Sequence, residues 1–264
     1  MIILYLENCK VTAHQQVNET DYIITLQTDQ IARVSEAGQF VQVKVTEGFE
    51  PILRRPLSIH TVDREKKEIK LYYQILGKGT EILSKVREEE IINLLGPLGT
   101  GFDTALENSK ALLIGGGLGQ APLLYLAEEL ERKKNTVFLA LGTRDEVSLR
   151  NVVCFDDVCQ EVSLATEDGS VGFKGYITDN LPEIIETFKP ERIYACGPSP
   201  MMKKIKEIAK TYQIPCQLSL ETRMACGIGV CLGCTVKPSD QSKPYLKACV
   251  DGPVFWAEEV LLDE

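Results

Sequence analysis

Four cysteines near the C-terminus constrain this chain more than any other feature. They are spaced Cys226-x4-Cys231-x2-Cys234-x14-Cys249, with Gly227, Gly229 and Gly233 among them. The segment after Pro215 is too short and too poor in regular signal to build a core of its own, so a bound group has to organise it. The spacing is that of a plant-type 2Fe–2S cluster, in which three thiolates on one tight loop wrap one side and a distant fourth closes the other. Glycines let such a loop curl closely and point backbone N–H groups at the sulfurs, which raises the reduction potential. The alternative is a structural zinc site with four cysteine ligands, although zinc ligands usually come as two close pairs.

The chain has nine cysteines in 264 residues. Nine is odd and the chain is not short, so a disulfide framework is a poor reading. Cys9, Cys154, Cys159 and Cys216 are expected to be small buried hydrophobes. With 29 basic and 38 acidic residues the formal charge is −9, which argues against nucleic acid as a partner. There is no polybasic stretch for an anionic membrane, and the apolar Met1–Leu6 is too short, with no preceding Lys or Arg, to read as a signal peptide. The charge-free run from Ala111 to Ala127 contains four glycines, Gln120 and Pro122 and falls short of a membrane span. A cytoplasmic protein is expected, where thiols stay reduced.

The first hundred residues read as strands. Val41, Val43 and Val45 alternate with Gln42 and Lys44, and Ile69, Leu71, Tyr73 and Ile75 alternate with Lys70, Tyr72 and Gln74, as half-buried strands do. With further short strands at 22–28, 56–61 and 91–95 this predicts a small antiparallel barrel. Thr80 is expected to cap a short helix over Glu81–Lys85. The breaker-rich Gly96–Gly101 marks a boundary. Strands at 111–114, 137–141, 162–165 and 192–196 then alternate with helical patterns after Gly119 and over 177–188 and 199–212, which predicts a parallel α/β sheet. The expected organisation is therefore multidomain, α+β and α/β: an antiparallel β-barrel over 1–103, a parallel-sheet domain over 104–214 and a small iron–sulfur module over 215–264.

Three loops carry further chemistry. Gly115-Gly116-Gly117-Leu118-Gly119 lies between a strand and a helix, where glycines let a phosphate approach the backbone. It is not the full dinucleotide fingerprint, because Gln120 holds the third glycine's place; a tight turn without a ligand is the alternative. Ala195-Cys196-Gly197-Pro198 ends another strand of the same sheet and so faces the same edge, where such folds bind ligands. Cys196 there could touch a ligand ring or simply be a packed thiol. Arg54-Arg55-Pro56-Leu57-Ser58 sets two guanidinium groups beside a strand, which suits a diphosphate, with Ser58 within reach of a flavin edge. Gly77-Lys78-Gly79-Thr80 could offer N–H groups to phosphate. A surface Arg pair and a plain turn are the alternatives. Neither His14 nor His60 sits in a catalytic motif, and no catalytic side chain is expected.

In combination the chain resembles the ferredoxin–NADP reductase superfamily over nearly its whole length, with a plant-type 2Fe–2S module appended. RRPLSI, GPLG-x-GF, GGG-x-G, CGP-x-PM, E-x-RMACGIG-x-C-x-x-C and DGPVF, in that order, are similar to the branch formed by electron-transfer subunits of class B dihydroorotate dehydrogenases. The segments Glu221–Gly229 and Asp251–Phe255 are the most specific to it. The resemblance implies that Arg55, Pro56, Leu57, Ser58, Tyr72, Tyr73, Gln74, Gly79 and Thr80 line FAD. It implies that Gly115, Gly116, Gly117, Gly119, Cys196, Gly197 and Pro198 face NAD, and that Cys226, Cys231, Cys234 and Cys249 hold the cluster. It further implies a partner, an FMN-containing dehydrogenase subunit that oxidises dihydroorotate to orotate, in a heterotetramer of two subunits of each kind. Electrons would run from FMN through the cluster and FAD to NAD+. A flavin is the needed converter there, because nicotinamide exchanges a hydride and a 2Fe–2S cluster takes one electron at a time. A related NAD(P)H-linked reductase serving a ferredoxin, sulfite or hydrogenase system is the other reading, and the residues alone do not separate NAD from NADP. Two positions depart from the family pattern. Gln74 stands where Arg is common, with Arg54 or Lys78 as possible replacements for its charge, and Gln120-Ala121-Pro122 replaces the usual Val-Pro-Pro.

Overall fold

A computed structural model describes residues 4–149 and 152–262. The first three residues of the apolar Met1–Leu6 stretch and the last two of the tail lie outside them.

The alternating segments close on one another. Strands β1 (Tyr5–Gln16), β2 (Asp21–Gln27), β3 (Phe40–Lys44), β4 (Arg55–Asp63), β5 (Glu68–Gln74) and β6 (Ile91–Leu98) form a closed antiparallel barrel in the order β1-β2-β5-β4-β3-β6. Successive side chains of a strand point to opposite faces. Val11, Ile24, Val41, Val43, Ile59, Leu71 and Leu94 accordingly fill the interior. The helix α1 (Gln30–Val34) is tied to β1 by the Glu7 carboxylate, which accepts the backbone N–H groups of Asp29, Gln30 and Ile31 at 2.9–3.0 Å.

The short helix α2 (Lys78–Leu83) starts earlier than expected. Gly77, not Thr80, is its capping residue. Thr80 lies one turn inside, and its hydroxyl accepts the N–H groups of Leu76 (2.9 Å) and Gly77 (3.3 Å). A threonine three residues after the capping glycine can bond backwards as well as forwards, and here the backward bonds win.

From Lys110 the chain builds a sheet with strands β7 (Lys110–Gly116), β8 (Thr136–Thr143), β9 (Glu161–Thr166), β10 (Phe173–Lys174), β11 (Arg192–Cys196) and β12 (Cys216–Ser219). A cysteine-bearing loop and a two-stranded ladder, β13 (Thr235–Val236) with β14 (Leu246–Lys247), follow, and then β15 (Val254–Trp256). The order is β10-β9-β8-β7-β11-β12-β15, parallel throughout except for β15 against β12. The sheet thus continues past residue 214. The last segment is not a separate body, because both ends of its cysteine loop are strands of this sheet.

Helix α3 (Leu123–Arg132) covers one face with Leu113, Leu139 and Tyr194 beneath it, and that packing is continuous with the barrel interior. Helices α4 (Ile177–Phe188) and α5 (Ser199–Tyr212) cover the other face over Leu112, Ile114, Phe138 and Ile193. Both boundaries match the helical periodicity of the sequence. The cysteine loop is pressed on the outside of the barrel, where Phe40 and Leu98 pack with Cys234, Val236, Ala248, Cys249 and Phe255. Cys9, Cys159 and Cys216 are buried as expected, whereas Cys154 is exposed, in a short 3-10 turn over Val152–Phe155. No helix among the described residues is long and apolar enough to cross a membrane.

Candidate functional site

Two clefts and one loop gather most of the residues singled out from the sequence. The first cleft, of about 480 Å³, lies between barrel and sheet. Arg55, Pro56, Leu57 and Ser58 of β4 form one wall and Gly77–Thr80 its floor. Arg55 lies flat on that turn: a β-carbon on Gly79 would sit 2.1 Å from Arg55 Nε. Only a glycine lets the guanidinium and the first N–H groups of α2 share one place. Arg54 points elsewhere. It donates to the carbonyls of Gln42 (3.2 Å) and Asn93 (3.0 Å) and to the Asn93 side chain. Lys78 reaches Glu50 at 2.8 Å. Lys78 lines the same cleft as Gln74, whereas Arg54 does not line it.

The three β5 residues diverge. Tyr73 turns into the barrel, within 2.9 Å of His14 Nε2 and stacked on Tyr22, so its ring is core. Tyr72 donates its hydroxyl to Asp21 at 2.8 Å, and Gln74 Nε2 donates to the same carboxylate at 2.8 Å.

The second cleft, of about 1030 Å³, opens over the carboxyl ends of the parallel strands. Gly115 at the end of β7 is in register with Cys196 at the end of β11. The chain leaves β7 towards β8 on one side and β11 lies on the other, so this edge is the topological switch point of the sheet. Gly117–Gln120 form a 3-10 turn, and the α-helix begins only at Leu123. The two loops touch backbone to backbone: a β-carbon on Gly119 would lie 2.1 Å from the Cys196 carbonyl oxygen, and Gly197 lies against Gly116. Gly117, at φ +52°, faces open space. Cys196 is buried, and burial, with Glu221 nearby, pushes its thiol up to about 12. It is a neutral packed thiol that still borders the first cleft. Leu118, Gln74 and Glu221 border both clefts, which therefore join. Burial raises the Glu221 carboxyl above the usual carboxylate range.

Beyond Glu221 the chain runs past Met224, still on the cleft wall, to the cysteines. The four cysteines are gathered by one loop and the ladder after it: the Cys231 N–H lies 3.4 Å from Cys226 Sγ, and Cys234 packs with Cys249. Backbone N–H groups converge on them: Ile228 (3.5 Å) and Cys231 (3.4 Å) on Cys226, Gly229 (3.2 Å) on Cys249, and Gly233 (3.5 Å) on Cys231. Gly227 and Gly229 hold φ of +73° and +81°, which is what bends the loop around its sulfurs. Partial burial raises the Cys226 thiol, but the N–H donors of Ile228 and Cys231 outweigh it and bring it down to about 6. Burial beside Cys234 pushes Cys249 up to about 12. Among the described residues no three His, Cys, Asp or Glu side chains converge as one metal ion requires. A run of three cysteines and a distant fourth, under several amide donors, fits a two-iron cluster better than a single zinc, whose ligands usually come as two close pairs.

Residues 221–261 match the model of the iron–sulfur cluster binding domain of dihydroorotate dehydrogenase B. The dihydroorotate dehydrogenase B (NAD(+)) electron transfer subunit of Desulforamulus reducens is 41% identical over 258 residues, 96% of this chain and 97% of that protein. The chain belongs to this family. The subunit of the same name from Geobacillus sp. is 40% identical over 97% of this chain and 98% of its own. Among solved structures, a chain of an NADH-dependent reduced ferredoxin-NADP oxidoreductase superposes with a TM-score of 0.85 at 30% identity, covering 97% of this chain and 90% of the other. A Neisseria gonorrhoeae ferredoxin NADP+ reductase shares the fold, with a TM-score of 0.65 at 17% identity over 78% of this chain and 91% of its own.

Several residues of the site carry no loop motif of their own. Ser219 and Leu220, at the end of β12, line the first cleft, together with Pro253 of the Asp251–Phe255 segment already singled out. Asn18–Asp21 of the barrel line the second. The signal for the former is that they directly precede the Glu221–Gly229 segment. The latter are brought to the cleft only by barrel closure.

Proposed function

We propose that the chain is the electron-transfer subunit of an NAD-dependent dihydroorotate dehydrogenase. It works in the cytoplasm with a separate FMN-containing subunit that oxidises dihydroorotate to orotate, two subunits of each kind in the assembly, and passes the electrons to NAD+. When bound, FAD exchanges a hydride with nicotinamide and single electrons with a 2Fe–2S cluster, and so converts one currency into the other.

The residues divide that work. Arg55 and the N–H groups at Gly79 and Thr80 hold the flavin diphosphate, while Pro56, Leu57 and Ser58 line the ring. Tyr72 and Gln74 fix Asp21 on the barrel rim, and Tyr73 borders the first cleft from the barrel side. Gly115, Gly116, Gly117 and Gly119, with Cys196, Gly197 and Pro198, receive the dinucleotide. Cys226, Cys231, Cys234 and Cys249 ligate the cluster. Leu220 and Met224 exclude water, and no side chain has to transfer a proton.

One observation supports this reading above the others. The stretch from Leu220 to Met224 that leads into the cysteine loop walls the same cleft as Arg55–Ser58, and that cleft opens into the glycine-lined one. Three sites with one shared space suit an electron relay. The test is co-purification with an FMN-bearing dehydrogenase subunit, followed by orotate formation coupled to NAD+ reduction. A chain carrying zinc and no flavin would overturn the proposal. The likeness to the NADH-dependent ferredoxin-NADP oxidoreductase chain favours a second reading, a flavin/iron–sulfur reductase for another partner. Flavin and iron without coupled orotate formation would favour it.

A further inference from the structure

Gln42 is alone among the described residues in having both polar ends of its side chain buried and without a protein partner. The sequence pattern places it on the outer face of β3, between the inward Val41 and Val43, where solvent would be its natural partner. The cysteine loop takes that place, and Gln42 is fully buried. A carboxamide removed from water and left unpaired is costly, so a polar neighbour is needed.

The surroundings narrow that neighbour down. Gln42 lines neither cleft, so a flavin or a dinucleotide seated there does not reach it. Its closest cover is Gly227, the residue after Cys226. A β-carbon on Gly227 would lie 2.8 Å from both Cγ and Nε2 of Gln42. The absent side chain thus brings the carboxamide directly against the backbone of the cysteine loop. The two ends of the amide exchange by a half-turn, and only its nitrogen can donate to sulfur.

We propose that Gln42 is a positioning residue for the iron–sulfur group, its side-chain N–H donating to a sulfur on the Cys226 side of the cluster. This rests on the reading of the four cysteines as cluster ligands. A donor aimed at sulfur favours the reduced, more negative cluster and so raises its potential. Backbone amides already do this from the solvent side of the loop, and Gln42 does it from the barrel side.

The test uses the chain purified with its dehydrogenase partner, as wild type, Gln42→Met and Gln42→Leu. Iron and sulfide content are measured, and the cluster is titrated by EPR-monitored reduction. Both replacements are apolar, so they remove the unpaired amide and leave the cluster-free fold at least as stable. The expected result is a cluster retained at full content with a lower midpoint potential. A change of about tenfold in the one-electron equilibrium corresponds to about 59 mV. Loss of iron from a variant whose circular dichroism is unchanged also supports the proposal. An unchanged midpoint in either loaded variant overturns it, as does loss of the native circular dichroism in both, which would make Gln42 a purely structural residue. A wild-type chain without iron sinks the reading of the cysteines instead, so the two failures are distinguishable.

Discussion

Replacing Gly119 by alanine separates the nucleotide function from everything else in the molecule. The new β-carbon would lie 2.1 Å from the Cys196 carbonyl oxygen, 2.5 Å from its carbon and 2.8 Å from the Gly197 Cα. All three are backbone atoms, so no rotamer change relieves the contact. The two loops have to part by roughly 1 Å to restore ordinary van der Waals distance, a strain of about 1–3 kcal/mol for an overpacked site. That displacement falls where the loops after β7 and β11 face a bound dinucleotide, and a misplacement of about 1 Å costs on the order of 100-fold in a reaction that depends on approach geometry. The assay is anaerobic stopped-flow reduction of the bound flavin by NADH. Gly119→Ala is expected to slow it by about 100-fold, with flavin content, iron content and reduction by dithionite unchanged, because neither Arg55 nor the four cluster cysteines are among the atoms nearest the new β-carbon. A rate within threefold of wild type would refute the reasoning. So would a parallel loss of flavin, which would show that the strain spreads through the whole interface.

Three further outcomes are expected. Arg55→Met removes the guanidinium over Gly79, and charge-assisted hydrogen bonds of this kind are worth about 1.5–3 kcal/mol; a fluorescence titration should show FAD binding weakened by roughly 10–100-fold, and an unchanged affinity would remove Arg55 from the site. Gln74→Arg should raise FAD affinity by less than about threefold, because the new cation meets Asp21, whose carboxylate already holds the Gln74 amide at 2.8 Å and can take an arginine in a paired fork; a gain of about tenfold would show a phosphate within reach instead. Burial lowers His60 from 6.5 to about 4, while the Ala121 carbonyl holds one ring nitrogen at 2.7 Å. The unfolded chain then binds more protons than the folded one between these values. Stability is full above 6.5 and falls as pH drops towards 4, by roughly 3 kcal/mol. Denaturant unfolding of wild type and His60→Gln between pH 7 and pH 4 should show that extra slope in wild type alone.

The parts legible from sequence are those whose physics is local. Val41 and Val43 point inward because a strand alternates, and α4 and α5 begin and end where their apolar spacing does. The misplaced start of α2 is a contest between two local options for Thr80, forward cap or backward bond, that differ by little. What stayed hidden depends on contacts far apart in the chain. Cys216–Ser219 is too short to announce itself as a strand, and its partners, β11 and β15, lie on opposite sides of it in sequence. Gln42 reads as a solvent-facing residue because nothing near it reveals that Gly227 covers it. Tyr73 sits in a flavin-type motif, yet its ring belongs to the barrel, since strand parity decides the face before any motif does.

The pairing of β3 with β4 explains why the cysteine loop needs no independent core. Ser58 and Pro56 line the first cleft, and their direct cross-strand partners are Phe40 and Gln42. Phe40 packs with Cys234 and Cys249, and Gln42 lies under Gly227. Neighbouring strands are about 4.8 Å apart, so the wall of the flavin cleft and the bed of the cysteine loop are adjacent strands of one closed barrel. The loop is held from the other side as well, because β12 enters it and β15 leaves it as neighbours in the parallel sheet. Any movement that carried the cysteines away from the cleft would have to break the barrel pairing or the β12–β15 ladder. Electron transfer between fixed groups requires constant separation over many turnovers, and a loop anchored at both ends on one domain and bedded on the other meets that requirement without a hinge.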